Sequence, residues 1–355
     1  MRLGGVTSRL RRLGGKRLGL GAVGIAVIVA TFVFVLPRVA DYRDVWEVVK
    51  TLSWEWLVAL TVAVVLNVVT FAPPWQVALP GLRFAPALTM TQASTALSIV
   101  APGGVAVGMA GQVGILRSWG FEGAPVARAV TLTSLWNQFA NLAYPVLAVF
   151  ALALAGQPTA VLATAAFIGV GILGVAVTAL GLVLYSDRMA EDIGDVAASG
   201  ASWALGKLRR QPVAWNGRSF ERFRRDAVDL LRRRWHWLTL ATLLGSLTVF
   251  VVLLVSLRAF GVSGDEVSVV EAFAAWALAR ILGTIPITPA GIGVVELSLT
   301  GTLVGFGGAN AEVVAAVLVF RFLTMVPTLV LGLAAAGTWR RHRLPDDEAG
   351  DRAAP

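Results

Sequence analysis

The 355-residue chain contains no cysteine and only two histidines. A disulfide framework, thiol catalysis and cysteine-ligated metal sites are therefore excluded. His236 and His342 both stand beside basic clusters and read as interfacial residues, which leaves metal chemistry almost no ligands. Charge is also scarce: 14% of residues are charged against 57% hydrophobic, where a soluble domain carries about 25% charge. So few charges cannot cover a water-facing surface, and most of the surface must face lipid. No G-x-x-x-x-G-K-[ST] run is present, so no phosphate-cradling loop is expected. No recognisable catalytic motif of Asp, Glu or His stands at a helix end. The expectation is a protein without cofactor that is not an enzyme.

What is abundant is apolar sequence in long runs. Residues 20–36, 57–72, 126–155, 160–184, 238–257 and 311–337 are almost free of charge. Each approaches or exceeds the roughly 20 residues that a helix needs to cross about 30 Å of hydrocarbon. Two further apolar stretches, 85–116 and 269–306, are interrupted by proline and glycine. The first run follows Arg9, Arg11, Arg12, Lys16 and Arg17 as a signal peptide would. It is longer than a signal core of about 7–15 residues and lacks a convincing cleavage site, so it reads as an uncleaved helix. The expected fold is all-α: a polytopic membrane bundle of about six spanning helices plus two Pro/Gly-broken pairs, re-entrant or short.

Charge placement orients this bundle. The formal net charge is +9. Residues 1–18 carry basic side chains and no acidic one, the 187–234 loop is rich in arginine, and the tail begins Arg340-Arg341-His342-Arg343. The link at 38–50 is balanced, and 261–267 is short and acidic. The positive-inside rule puts both termini and the central loop in the cytoplasm of a plasma-membrane protein. The expected organisation is a basic N-terminus (1–18), a first membrane half (19–184), a basic loop (185–236), a second half (237–338) and a tail (339–355). The loop is expected to carry an amphipathic helix over 220–237, lying on the membrane with Phe223 and Trp235 among its arginines. This basic surface reads as a topology determinant and anionic-lipid contact, not a nucleic-acid site.

The two broken stretches superimpose at an offset of 187. Pro102-Gly103-Gly104-Val105 falls on Pro289-Ala290-Gly291-Ile292, and in the same ungapped register Gly114 falls on Gly301 and Gly120 on Gly307. An odd number of crossings separates the copies, so they are inverted. Inverted repeats with broken helices build sites near the bilayer midplane, because freed backbone groups there must be satisfied by protein, water or ligand. The competing reading is two pairs of ordinary helices joined by glycine-rich surface turns.

Polar groups in the apolar field mark candidate sites. Arg280, Glu296, Arg321 and, at the rim, Glu271 lie in or near the second copy. Charges in hydrocarbon face a partner or a cavity, and Glu296 is expected to pair with Arg321 or Arg280. Such a pair either serves a site or only locks packing. Two arginines against one carboxylate would suit a phosphate. The first copy offers Gln92, Ser94, Thr95, Ser98, Gln112, Asn137, Gln138 and Asn141. Asn137 and Asn141, one turn apart, either line the cavity or bind helices together. Arg128 can snorkel to the interface.

Read together, Pro286-Ile287-Thr288-Pro289-Ala290-Gly291-Ile292-Gly293-Val294-Val295-Glu296 and Phe320-Arg321 resemble the flippase-like membrane domain of lysylphosphatidylglycerol synthases. Those proteins share a P-x-T-P-G-G-x-G-x-x-E segment, a later aromatic-Arg and an earlier P-G-G-x-G segment. The likeness runs from about 51 to 337. It implies translocation or handling of phospholipids or polyprenyl-linked lipids, with membrane lipids, anionic or phosphate-bearing, as partners. Carried over to this chain, it points to Pro289, Gly291, Gly293, Glu296 and Arg321, with Pro102, Gly103 and Gly104 in the first copy. Arg280, Thr288 and Asn137 complete the expected binding set. Ala290 and Ala106 each stand where a glycine is usual, and the first copy lacks charges that relatives carry. The synthase domain is not seen before Pro355, so aminoacyl transfer is not expected. A scaffold or accessory subunit for envelope-lipid enzymes is the alternative, and a homo-oligomer is compatible with either.

Overall fold

A computed structural model describes residues 52–101, 104–156, 217–284 and 291–338, together with Lys50 and scattered helical positions between 164 and 181. Among the described residues there are nine helices and no strand. They are α1 (Trp54–Thr70), α2 (Pro73–Ala78), α3 (Phe84–Val100), α4 (Gly104–Ser118), α5 (Gly123–Leu154), α6 (Gly217–Ala259), α7 (Val269–Thr284), α8 (Val294–Phe306) and α9 (Asn310–Thr338). Four segments are long and apolar enough to cross a bilayer: Trp54–Ala78, Gly123–Leu154, Arg224–Ala259 and Asn310–Ala335. These account for four of the six expected spans. The runs at 20–36 and 160–184 lie outside the described residues, apart from the scattered positions in the second.

The Pro/Gly-broken stretches form helical hairpins, α3 with α4 and α7 with α8. Their helices have 17, 15, 16 and 13 residues, or about 20–26 Å at 1.5 Å per residue. Hydrocarbon is about 30 Å thick. Each hairpin packs against the long helix that follows the other one: α3 lies on α9, and α7 on α5. Close approach there depends on Gly332, where an added Cβ would lie 2.3 Å from Ala96 Cβ. Two pairs of left-handed glycines punctuate the hairpins at the same spacing. Gly104 and Gly291 have φ of +45° and +68°, and Gly120 and Gly307 have +95° and +123°. The long helices start in step as well, α5 at Gly123 and α9 at Asn310.

The basic segment departs from expectation. Residues 220–237 are not a separate surface helix but the first half of α6, whose 43 residues run unbroken from Gly217 to Ala259. No glycine or proline interrupts the chain between Arg218 and Leu244, and its Arg, Leu and Ala residues are good helix formers, so nothing turns it at the interface. At about 65 Å it is twice the hydrocarbon thickness. The domain boundary drawn at 236 falls inside it. Trp235 and Trp237 are each 56% exposed at the junction between its basic and apolar halves, the position where indole rings favour the interface. Arg128 reaches Asp226 on this helix at 3.4 Å.

Two apolar cores form along the long helices. One gathers Trp75, Met90, Leu116, Trp119, Val126 and Leu238 where α2, α3, α4 and α5 meet the front of α6. The other gathers Tyr144, Leu253, Leu257, Trp276, Leu303 and Phe320 from α5 to α9. Polar side chains tie α1 to α6, where Asn67 Nδ2 donates to Thr248 Oγ1 at 3.3 Å and the Thr70 and Thr248 hydroxyls are 2.9 Å apart. The α6–α7 turn is held by Arg258, whose guanidinium donates to the carbonyls of Val262, Ser263 and Val267 at 2.7–2.8 Å. Glu271, expected at the rim of the charged field, is the far member of a capping box. Its Oε2 accepts from Ser268 N and Oγ at 2.8 and 2.7 Å, which satisfies orphan donors at the start of α7.

Candidate functional site

Against the second of these cores lies a cavity of about 310 Å³, lined by residues of α3, α5, α6, α7, α8 and α9. Its wall is mainly apolar, with Ile99, Val249, Trp276, Leu299, Phe320 and Met325, and its charged lining residues are Arg280 and Arg321.

Arg280 stands near the end of α7, one turn after Trp276. Its guanidinium carbon lies 5.1 Å from the Trp276 ring centre and 5.7 Å from that of Tyr144 on α5, close enough for cation–π attraction to both. Its Nε donates to Asn141 Oδ1 at 3.0 Å, and Nη2 donates to the same oxygen. Asn141 Nδ2 donates to Gln138 Oε1 at 3.1 Å, which turns the amide oxygen toward Arg280. Tyr144 is fixed in turn by donating its hydroxyl proton to Leu243 O at 2.9 Å. Among the described residues, no carboxylate forms an ion pair with Arg280. Pro145 follows inside α5; lacking an N–H, it leaves the Asn141 carbonyl without its helical donor.

Arg321 is held differently. Its Nε donates to Glu296 Oε1 at 2.6 Å, with the side chains 11% and 14% exposed. Of the two pairings open to Glu296, the structure has the one with Arg321. The other oxygen, Oε2, accepts from the Gly293 amide at 2.7 Å. Gly293 is the N-cap of α8 with φ +85°, so this contact is half of a capping box, closed by the N3 carboxylate without an N-cap side chain. Pro327 lies one and a half turns beyond Arg321 inside α9.

Of the residues marked from the sequence, Arg280 and Arg321 line the cavity and Glu296 pairs with Arg321, with Gly291 and Gly293 at the start of α8. Gly291 is buried, and a Cβ there would lie 3.0 Å from Val295 Cγ2. Gly104 opens α4. Asn137 is exposed, and Asn141, one turn on, is the asparagine that lines the cavity. Pro102, Gly103, Thr288 and Pro289 lie outside the described residues. In the first hairpin, Gln112 Nε2 donates to Ser94 Oγ at 3.4 Å and Ser98 Oγ to Ser94 O at 3.0 Å, contacts that join or stiffen α3 and α4. Sequence reasoning missed Asn141, Tyr144 and Trp276 as a cradle for Arg280. The available signal was spacing: Asn141 is four residues before Pro145, and Trp276 four before Arg280. Among the described residues, no group of three His, Cys, Asp or Glu could hold a metal ion.

A family model described as the lysylphosphatidylglycerol synthase TM region matches residues 21–332. Comparison with curated proteins gives no match.

Proposed function

Since the chain belongs to the lysylphosphatidylglycerol synthase TM region family, we propose that it binds a phospholipid or polyprenyl-linked lipid by its headgroup and moves it across the plasma membrane. The observation that carries this reading is Arg280, a cation without a carboxylate partner among the described residues, on the wall of a mainly apolar cavity. Such a wall suits a phosphate whose acyl or prenyl chains stay in the bilayer. The protein acts by binding and not by covalent chemistry. Uphill transport would draw on a gradient or a partner protein.

An inverted repeat would give the movement its geometry. Equal spacing of the left-handed glycines Gly104 and Gly291, and of Gly120 and Gly307, supports it. So do the exchanged packing of the hairpins and their short helices, which fit re-entrant pairs meeting near the midplane. Both termini would then be cytoplasmic, with the first half of α6 on the same side.

The test is headgroup exposure in reconstituted vesicles containing a labelled anionic lipid. Arg280→Gln is expected to abolish translocation while the protein stays folded by thermal melting. Undiminished translocation would remove the cavity from the mechanism. No translocation by the wild type would leave a scaffold for envelope-lipid enzymes, in which the charges only lock packing, as the doubly bonded Glu296 already does for α8 and α9.

A further inference from the structure

The two cavity arginines differ in what holds them. Glu296 meets Arg321 at 2.6 Å, and the charges of that pair cancel. Arg280 is met by an amide oxygen, Asn141 Oδ1, on the Nε and Nη2 edge of its guanidinium. An amide fixes the cation in the way a carboxylate would, yet it is neutral and leaves the charge standing. The amide cannot turn freely, because its Nδ2 donates to Gln138 Oε1 at 3.1 Å. Tyr144 and Trp276 stand against the guanidinium. The Nη1 edge makes no hydrogen bond among the described residues.

We propose that Asn141 is the specificity-determining residue of this cavity. By holding Arg280 through a neutral oxygen, it keeps one net positive charge there, so the site takes a headgroup of one net negative charge. The inference rests on the lipid-binding reading above and narrows it to a phosphodiester headgroup without an added amine. An aminated headgroup meets no carboxylate in the described wall of the cavity, whose charged lining residues are both arginines.

The discriminating change is Asn141→Asp, which preserves shape and acceptor while cancelling the charge. The full chain is reconstituted in nanodiscs of phosphatidylcholine with equal minor fractions of phosphatidylglycerol and lysylphosphatidylglycerol. After gentle extraction, the retained lipid is counted by mass spectrometry. Wild type is expected to enrich phosphatidylglycerol over both other lipids. Asn141→Asp is expected to lose that enrichment by about tenfold or more, since a unit charge within hydrogen-bond range outweighs a factor of ten even at an effective dielectric of about 20. Its melting temperature is expected to stay close to that of the wild type, because the ion pair gained with Arg280 offsets the donor lost to Gln138, and Arg280→Gln serves as a second variant with the same expected loss. Equal enrichment in wild type and Asn141→Asp overturns the inference and leaves the lipid-binding reading intact. Displacement of the retained lipid by inorganic phosphate would overturn the lipid as the source of the anion. A wild type that enriches none of the lipids overturns the lipid-binding reading itself.

Discussion

Glu296 and Arg321 join two helices through one carboxylate: Oε1 takes the Arg321 Nε–H at 2.6 Å while Oε2 caps α8 at the Gly293 amide. Removing the arginine alone strands a largely buried charge. Arg321→Ala is expected to lower unfolding free energy by about 3 kcal/mol, the scale for breaking a buried pair from one side. Glu296→Gln combined with Arg321→Met should cost less than Arg321→Ala, since no lone ion remains. A double-mutant cycle measured by denaturant titration in mixed micelles checks the order.

Glycine is required at Gly293 for its backbone and at Gly301 for nothing visible. Gly293 has φ +85°, and Gly301 lies within α8 with open space around its Cα. Gly293→Ala is expected to destabilise by about 1–3 kcal/mol. Gly301→Ala should be neutral or stabilising by up to about 1 kcal/mol. Thermal melting of the two variants side by side tests this, and similar losses would refute it.

The α6–α7 turn depends on one side chain. Arg258 donates to three carbonyls, bonds that an ammonium group could not all make in the same fork. Arg258→Ala is expected to cost about 2 kcal/mol and to raise amide exchange across 261–268. Arg258→Lys should recover only part of the protection, as read by hydrogen-exchange mass spectrometry.

At the crossing of α3 and α9, Gly332 has no room for a methyl group beside Ala96 Cβ and Gln92 O. Gly332→Ala is expected to destabilise by about 1–3 kcal/mol through overpacking, and adding Ala96→Gly should restore part of it. Non-additivity in the melting temperatures of the single and double variants is the readout.

The membrane class and the hairpin breaks were legible in the sequence because hydropathy and Pro/Gly placement act locally. Glu296 with Arg321 was also readable, as a choice between two partners, since buried charges must be compensated. The choice itself was not readable, because it depends on how α8 and α9 are set side by side. Asn141 was hidden for a similar reason. Asn137 and Asn141 share a face in one dimension, and only the position of α7 decides which meets Arg280. The continuity of α6 was misjudged because its charge changes at Leu238 while its helix propensity does not.

The internal prolines of α5 and α9 have a mechanical meaning. Pro145 and Pro327 each remove a backbone donor within a turn or two of Asn141 and Arg321. The rungs lost are therefore beside the cavity and away from the ends of these two long helices. A long helix interrupted in this way bends most easily at its proline, and in α5 and α9 the cavity-lining Asn141 and Arg321 stand near that point. The wall that carries the charge is thus also where each helix bends at least cost.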